Sequence, residues 1–283
     1  MPLVPFGPML EEARKEHYTI GALNILNMET LQAVIKACEK KNVGVIAQVY
    51  HAHLKYAGAD YIAAMGKVAG EKASIPVSIS LDHGQSYEMA EQCIFAGFTG
   101  VMIDLASSDY ATNVEQTKKV VALARKYGVS VEAELGTIHD ASAPLSVRNT
   151  GMTDPDVAAR FVQETGIDAL AVAIGTAHGF YSSAPKIDFD RLDAILHTVK
   201  CPIVVHGGSN TPDEDVMRMV EMGISKLNIG TDLMASFEAG LRDAMAGGEY
   251  VDLMQVLEAA RENEMKTVLH KLDLLTHCRV KKY

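Results

Sequence analysis

The chain has 283 residues, and 48% of them are hydrophobic, which is enough to bury a large core. Its formal charge of −10 argues against nucleic acid or an anionic membrane surface as the main partner. The four cysteines are isolated and form no CxxC pair, which argues against a disulfide framework. The sequence has no secretory signal pattern, and no apolar run reaches the roughly 18 residues of a membrane span. We therefore expect a cytoplasmic protein.

Eight short apolar segments alternate with eight longer amphipathic ones. The short segments are apolar on both faces, which is typical of parallel strands covered by helices. In chain order, the predicted strands and their helices are 18–24 and 28–40, 43–49 and 60–70, 76–82 and 86–96, 100–104 and 112–127, 129–134 and 155–165, 168–175 and 188–197, 202–206 and 212–222, and 224–229 and 231–245.

Several predicted helices carry start and stop signals. Asp154 precedes Pro155, a proline at the first helical position, and Thr211 with Pro212 repeats the arrangement. Left-handed residues just past helix ends are predicted at Gly128, Gly166 and Gly223.

The alternation predicts an α/β fold, a single-domain (β/α)8 TIM barrel over residues 1–283. One or two further helices are expected after residue 250. The competing fold, a doubly wound open sheet, is disfavoured because no GxGxxG follows the first strand.

Polar residues end the predicted strands. In a barrel the strand ends converge on one face, so residues far apart in sequence become neighbours there. One such residue alone is usually a helix cap or a satisfied packing group, but a full rim of them indicates a site. They are Asn24, Gln48, Asp82 with His83, Asp104, Glu134, His178, His206 and Asn228.

The three rim histidines, His83, His178 and His206, predict a divalent metal site. Neutral imidazoles are preferred zinc ligands, and three of them leave a position open for substrate. Asp104 and Glu134 are expected to hydrogen-bond the ligands or to offer an alternative metal position.

Three other residues are each open to two interpretations. His51 and His53 follow strand two and lie either at the pocket or in packing contacts. Lys226 on strand eight has no context that favours a nucleophile over a phosphate-facing or packing role.

Glycine-rich loops after strands six, seven and eight predict a phosphate site. Backbone N–H groups there can approach an anion closely, and a helix that begins near residue 231 adds its positive end. Barrel phosphate sites recur at this place. The residues are Gly179, Gly207, Gly208, Ser209, Asn228, Ile229, Gly230 and Thr231.

Seven segments carry a resemblance to a family. The chain resembles the class II, zinc-dependent ketose-bisphosphate aldolases over roughly residues 5–245. The segments are SLDHG (80–84), GVMID (100–104), VEAELG (131–136), DALAVAIGTAHGFY (168–181), PKIDF (185–189), VHGGSN (205–210) and SKLNIGTD (225–232).

The resemblance implies reversible aldol cleavage of a ketose 1-phosphate or 1,6-bisphosphate to dihydroxyacetone phosphate and an aldehyde. Asp82 matches the catalytic proton donor and acceptor, and the three rim histidines match the ligands of Zn²⁺. Asp104 and Glu134 match carboxylates that hold zinc in an alternative position.

The resemblance also implies how the substrate is held. The glycine-rich segments match the site for the dihydroxyacetone phosphate half, and Asn24 matches an asparagine near the substrate. Carbonyls near Gly179 and Gly207 match a monovalent-cation site, for Na⁺ or K⁺, in some members. Family members are commonly homodimers or homotetramers.

The chain departs from the family in the parts that face the aldehyde. MIDLASSDY (102–110) replaces the usual MIDGSH, and the loop 137–151 lacks the usual Gly-Gly and acidic pair, with Asp140 as a partial substitute. Tyr50 stands in place of a serine that helps to hold phosphate, and Leu23 replaces a phenylalanine. These changes predict an altered aldehyde preference.

Three alternatives remain. The first is a fructose- or tagatose-bisphosphate aldolase proper, which releases glyceraldehyde 3-phosphate. The second is a non-catalytic sugar-phosphate-binding barrel, disfavoured because Asp82 and the three histidines are present. The third is a metal-dependent hydrolase, disfavoured because Leu23-Asn24 stands where such enzymes carry HxH.

Overall fold

The computed structural model describes residues 3–247 and 252–279 and contains a closed barrel of eight parallel strands in chain order. Each strand pairs with the next, and the last pairs with the first, with Ala22 beside Asn228. The strands are β1 (Ile20–Asn24), β2 (Val45–Tyr50), β3 (Val77–Gly84), β4 (Gly100–Ile103), β5 (Ser130–Leu135), β6 (Ala169–Val172), β7 (Ile203–Val205) and β8 (Lys226–Ile229).

The helices surround the barrel. All eight predicted units are confirmed, and one helix follows residue 250 within the part of the chain that the structure describes. The structure adds α1, α3 and α7, which the sequence did not predict. The helices are α1 (Phe6–Lys15), α2 (Met28–Lys41), α3 (His51–Ala57), α4 (Ala59–Lys72), α5 (Tyr87–Ala96), α6 (Tyr110–Tyr127), α7 (Leu145–Arg148), α8 (Pro155–Thr165), α9 (Phe189–Thr198), α10 (Asp213–Met222), α11 (Thr231–Met245) and α12 (Leu253–Leu275).

Most of the predicted helix ends are confirmed. The Asp154 side chain caps α8 by accepting hydrogen bonds from two backbone N–H groups of its first turn. The three stop glycines adopt left-handed conformations, with φ between 67° and 104°. The start of α10 was predicted wrongly: the helix begins one residue after Pro212, and the Thr211 hydroxyl donates to the Gly207 carbonyl instead of capping the helix.

Helix α1 closes the end of the barrel where the strands begin. Phe6, Leu10 and Ala13 are fully buried and pack with residues inside the barrel. The Gly7 N–H donates to the Ser130 hydroxyl at the start of β5. This plug leaves the opposite rim as the open end of the barrel. No helix in the described ranges is long and apolar enough to cross a membrane.

Helix α12 contains a buried acid at Glu264, and neither of its carboxyl oxygens has a hydrogen-bond partner among the described residues. Burial raises the pKa of Glu264 from 4.5 to about 9. The folded protein therefore keeps a proton that the unfolded chain loses, so stability falls as pH rises between these two values.

We expect Glu264→Gln to stabilise the protein, because glutamine stays neutral at all pH values. The rise in Tm should be roughly 5 °C larger at about pH 8 than at about pH 5. Thermal unfolding followed by circular dichroism measures it. An equal change in Tm at both pH values would show that ionisation of Glu264 is not the cause.

Candidate active site

Asp82 and His83 end β3 at the open rim. Neighbouring strand residues normally point to opposite faces, but the pairing of β3 with β4 shifts register between Leu81 and Gly84. His83 adopts a left-handed backbone conformation with φ of 50°. Both side chains therefore line the same cavity. Such a conformation is costly for a non-glycine residue and is characteristic of functional sites.

The three predicted histidines meet at this cavity, where His83 and His178 line the wall and His206 is fully buried beside His83. His83 Nε2 lies 2.9 Å from His206 Nδ1, and the ring centroids of His83 and His178 are 4.7 Å apart. One ring nitrogen from each residue lies within 4.8 Å of the others. Nε2 of His178 is buried and has no hydrogen-bond partner among the described residues. This donor set fits a divalent metal such as zinc.

Carboxylates orient two of the rings. Asp104 Oδ2 lies 2.6 Å from His83 Nδ1, and Glu132 Oε1 lies 2.9 Å from His206 Nε2. Because an ionised carboxylate only accepts hydrogen bonds, each of these ring nitrogens donates, and the opposite nitrogen faces the centre. Asp104 therefore orients His83, one of the predicted metal ligands. His83, Asp104 and Glu134 also form a second cluster of potential metal ligands.

The site shifts several pKa values in opposite directions. Burial lowers the pKa of His83, but the charge of Asp82 and the hydrogen bond with Asp104 outweigh it and raise the pKa to about 9. Burial and the charge of His83 lower the pKa of His178 to about 4. Burial and repulsion from Asp104 raise the pKa of Glu134 well above its usual value.

Amide groups fix the Asp82 carboxylate. Asn24 Nδ2 donates to one oxygen at 2.9 Å, and Asn228 Nδ2 donates to the other at 3.0 Å. Gln48 in turn donates to Asn24. Burial raises the pKa of Asp82, but the charges of His83 and other nearby cations and the Asn24 hydrogen bond outweigh it and lower the pKa. Asp82 is thus an oriented carboxylate in the cavity wall.

Glu132 is a site residue that the sequence interpretation missed. Its second oxygen forms an ion pair of 2.8 Å with Lys226, and both side chains are buried. Lys226 also donates to Asn228, so it has a structural, charge-balancing position. The available signal was the alternation in β5, because Glu132 and Glu134 lie two residues apart and so share a face.

We expect Glu132→Gln to weaken zinc binding by about 10- to 100-fold, because His206 loses the anionic acceptor that orients its ring. A competitive chelator titration measures the affinity. Glu115→Gln is the control, since Glu115 forms an exposed pair with Lys119 on α6. An unchanged affinity in Glu132→Gln would remove Glu132 from this role.

The predicted phosphate residues gather at the start of α11. Ser209 Oγ accepts hydrogen bonds from the N–H groups of Gly230 and Asp232, and the first turn of the helix lines the cavity. Gly207 has φ of 75°, and a Cβ there would lie 2.3 Å from the Ala177 carbonyl. Of the predicted set, the residues lining the cavity are Gly179, Gly207, Ser209, Asn228, Gly230 and Thr231.

Two of the predicted phosphate residues do not line the cavity and instead support the fold. The Gly208 N–H donates to the Asn228 carbonyl, and the Ile229 side chain is buried in the core. The Gly207 carbonyl, which the resemblance associates with a monovalent cation, accepts from Thr211.

The last helix supports the phosphate loops from behind. Lys271 on α12 is buried, forms an ion pair of 2.8 Å with Asp232, and lies 3.5 Å from the Gly208 carbonyl. Asp232 also accepts from the N–H of Asn210. One side chain therefore ties the loops after β7 and β8 to the C-terminal part of the chain. No motif in the sequence indicated this contact.

The loop 137–151 contacts a predicted metal ligand directly. The His178 N–H donates to the His139 carbonyl, and the Ala141 N–H donates to the His178 carbonyl at 2.7 Å. The loop thus fixes the backbone of His178 on both sides. Of the two histidines left open after β2, His53 lines the cavity, whereas His51 is not part of its wall.

The architecture and this arrangement agree with comparisons to known proteins. A family model described as fructose-bisphosphate aldolase class-II matches residues 4–279. The chain belongs to the class II fructose-bisphosphate aldolase family. The fructose-bisphosphate aldolase of Staphylococcus aureus is 38% identical to this aldolase over 276 residues and covers 96% of both chains. The probable fructose-bisphosphate aldolase of Bacillus subtilis is 37% identical over 277 residues and covers 96% of this chain and 97% of its own.

A solved structure supports the same assignment. The YdjI aldolase from Escherichia coli K12 superposes with a TM-score of 0.85 at 28% identity and covers 96% of this chain and 97% of its own. This class II aldolase is therefore a carbon–carbon lyase that cleaves a sugar phosphate to dihydroxyacetone phosphate and an aldehyde. The family is zinc-dependent, and the three-histidine cluster offers this chain a metal site.

Proposed function

We propose that this aldolase is a zinc enzyme in which His83, His178 and His206 hold the metal and Asp82 moves the proton. The observation that carries the proposal is the meeting of three histidines, two of them buried, beside an oriented carboxylate of the cavity wall. When bound, zinc would supply a Lewis acid that stabilises negative charge developing on the ketose half. Asp104 and Glu132 keep two of the ligand rings oriented.

Asp82 acts on the aldehyde half. It accepts the proton of the C4 hydroxyl while the C3–C4 bond breaks, and the electron pair of that bond moves onto the dihydroxyacetone phosphate half. The aldehyde leaves, and a proton returned to C3 completes the products. Its lowered pKa suits the first step, because the carboxylate is ionised before substrate arrives.

The phosphate of the dihydroxyacetone half fits the start of α11. Thr231 and Gly230 present the positive end of the helix to the cavity, where an anion is favoured. Gly179, Gly207 and Ser209 complete the wall there. The phosphate and the metal then hold the same half of every substrate, which leaves specificity to the opposite half.

The test is a cleavage assay on the zinc-loaded protein, with dihydroxyacetone phosphate detected by enzymatic reduction coupled to NADH. Fructose 1-phosphate and fructose 1,6-bisphosphate are the first substrates. Exchange of a C3 hydrogen of dihydroxyacetone phosphate with deuterated water tests the shared half-reaction without any aldehyde. A zinc-loaded protein that performs neither cleavage nor exchange would support a binding barrel in place of a lyase.

A further inference from the structure

The cavity wall carries acidic side chains besides the proposed catalytic one. Within residues 3–247 and 252–279, no lysine or arginine lines the cavity, whereas Asp140 and Glu238 do, in addition to Asp82. The Asp140 side chain accepts hydrogen bonds from the Ser142 hydroxyl and N–H, which hold its carboxylate in place. A phosphate group against this wall would meet carboxylates and no lining lysine or arginine among the described residues.

Glu238 continues the wall along α11. Thr231, Met234, Ala235 and Glu238 all line the cavity, at the spacing of one helix face. Glu238 lies two turns beyond the helix start, so the same helix presents its positive end to one part of the cavity and a carboxylate to another. The cavity is therefore polarised along its length.

Two buried lysines of the site are paired with acids. Lys226 pairs with Glu132 and Lys271 with Asp232, and all four are assigned above to the framework of the site. Arg242 Nε donates a hydrogen bond to Glu238 Oε1 at 3.1 Å. The Arg242 side chain is 76% exposed and is not part of the cavity wall.

Two further residues that line the cavity suit hydroxyls. Nδ1 of His53 is buried and has no hydrogen-bond partner among the described residues. Tyr50 also lines the cavity, and its ring contacts those of His53 and His83. Neutral donors and acceptors beside a carboxylate recognise a polyol chain, whereas a dianion there would be repelled.

We propose that the preferred substrate is a ketose 1-phosphate whose remaining carbons form an uncharged polyol, so that the released aldehyde carries hydroxyls and no phosphate. This inference rests on the aldol cleavage proposed above and names its substrate class. The bond that breaks and the proton that moves are the same. Only the charge of the aldehyde half is specified, and Asp140 and Glu238 select against a second phosphate.

The first test compares kcat/KM for fructose 1-phosphate and fructose 1,6-bisphosphate in the cleavage direction. Glyceraldehyde and glyceraldehyde 3-phosphate are compared as acceptors for dihydroxyacetone phosphate in the reverse direction. We expect the unphosphorylated member of each pair to be favoured by about tenfold, because the carboxylates of Asp140 and Glu238 repel a second phosphate. A preference for the phosphorylated members would overturn the inference. That holds whether the second phosphate were bound by Arg242 or by a cation from a second copy of the chain.

The second test reverses the charge of the wall. Glu238→Lys should raise the bisphosphate-to-monophosphate ratio of kcat/KM by about tenfold. The control is Asp243→Lys, which makes the same charge change on α11 outside the cavity wall and should leave the ratio unchanged. Equal ratios in the two variants would refute electrostatic selection by Glu238.

The two proposals fail in different ways. If hydrogen exchange on dihydroxyacetone phosphate occurs but the bisphosphate is the better substrate, the aldolase assignment of the residues stands and the uncharged-aldehyde inference is wrong. If neither exchange nor any cleavage occurs, the proposed function itself is wrong.

Discussion

Replacing Asp82 by alanine is expected to lower kcat by about 10³-fold while zinc binding persists. General acid–base groups typically contribute 10²- to 10⁴-fold to a rate, and the carboxylate lies in the cavity wall with both oxygens oriented by amide donors. The three histidines remain in the variant. Steady-state cleavage kinetics give kcat, and elemental analysis of the dialysed protein gives the zinc content.

Asp82→Asn is the matched control, because it keeps the shape of the side chain and removes its basicity. Both variants should be almost equally slow if proton transfer is the function of Asp82. A slow alanine variant beside an active asparagine variant would indicate that Asp82 only organises Asn24 and Asn228. Full activity in both variants would exclude the residue from catalysis.

Removal of the metal is expected to abolish cleavage, and addition of Zn²⁺ is expected to restore it. The loss should exceed about 10³-fold, because several kcal/mol of charge stabilisation on the ketose half depend on the ion. Zinc should also raise Tm, since an ion that binds only the folded state adds about 2.7 kcal/mol at a concentration 100 times its Kd. Activity and thermal unfolding with and without a chelator measure both effects.

His178→Ala tests the location of the metal. Its Nε2 is the ligand-cluster atom that has no protein partner among the described residues. The zinc-dependent rise in Tm should be lost in this variant and kept in His197→Ala, which alters an exposed histidine on α9. A full zinc-dependent rise in His178→Ala would place the metal elsewhere.

The strand ends were predictable because a barrel imposes a simple rule on them. Parallel strands that are apolar on both faces must end at a common rim, so polar residues there could be grouped from the sequence alone. Helix α1 could also have been predicted, because its apolar residues follow helical spacing. They are Phe6, Met9, Leu10 and Ala13, and all are buried. The sequence prediction omitted α1, because the alternation of strands and helices begins only with the first strand.

Other features depend on tertiary contacts that no local pattern encodes. The left-handed backbone of His83 follows from the register shift between β3 and β4. The ion pair of Lys271 with Asp232 joins residues 39 positions apart in sequence through the packing of α12 on α11. The loop 137–151 fixes His178 through backbone hydrogen bonds, which no pattern of side chains in the sequence can reveal.

The position of Lys271 has a consequence for synthesis of the enzyme. Domains begin to fold during synthesis, N-terminal part first, and all eight strands precede Lys271 in the chain. A nascent chain can therefore close its barrel and gather its histidines before the anion-binding loops receive their support from α12. We expect the anion-binding loops to become ordered only after α12 has been synthesised and has packed against them.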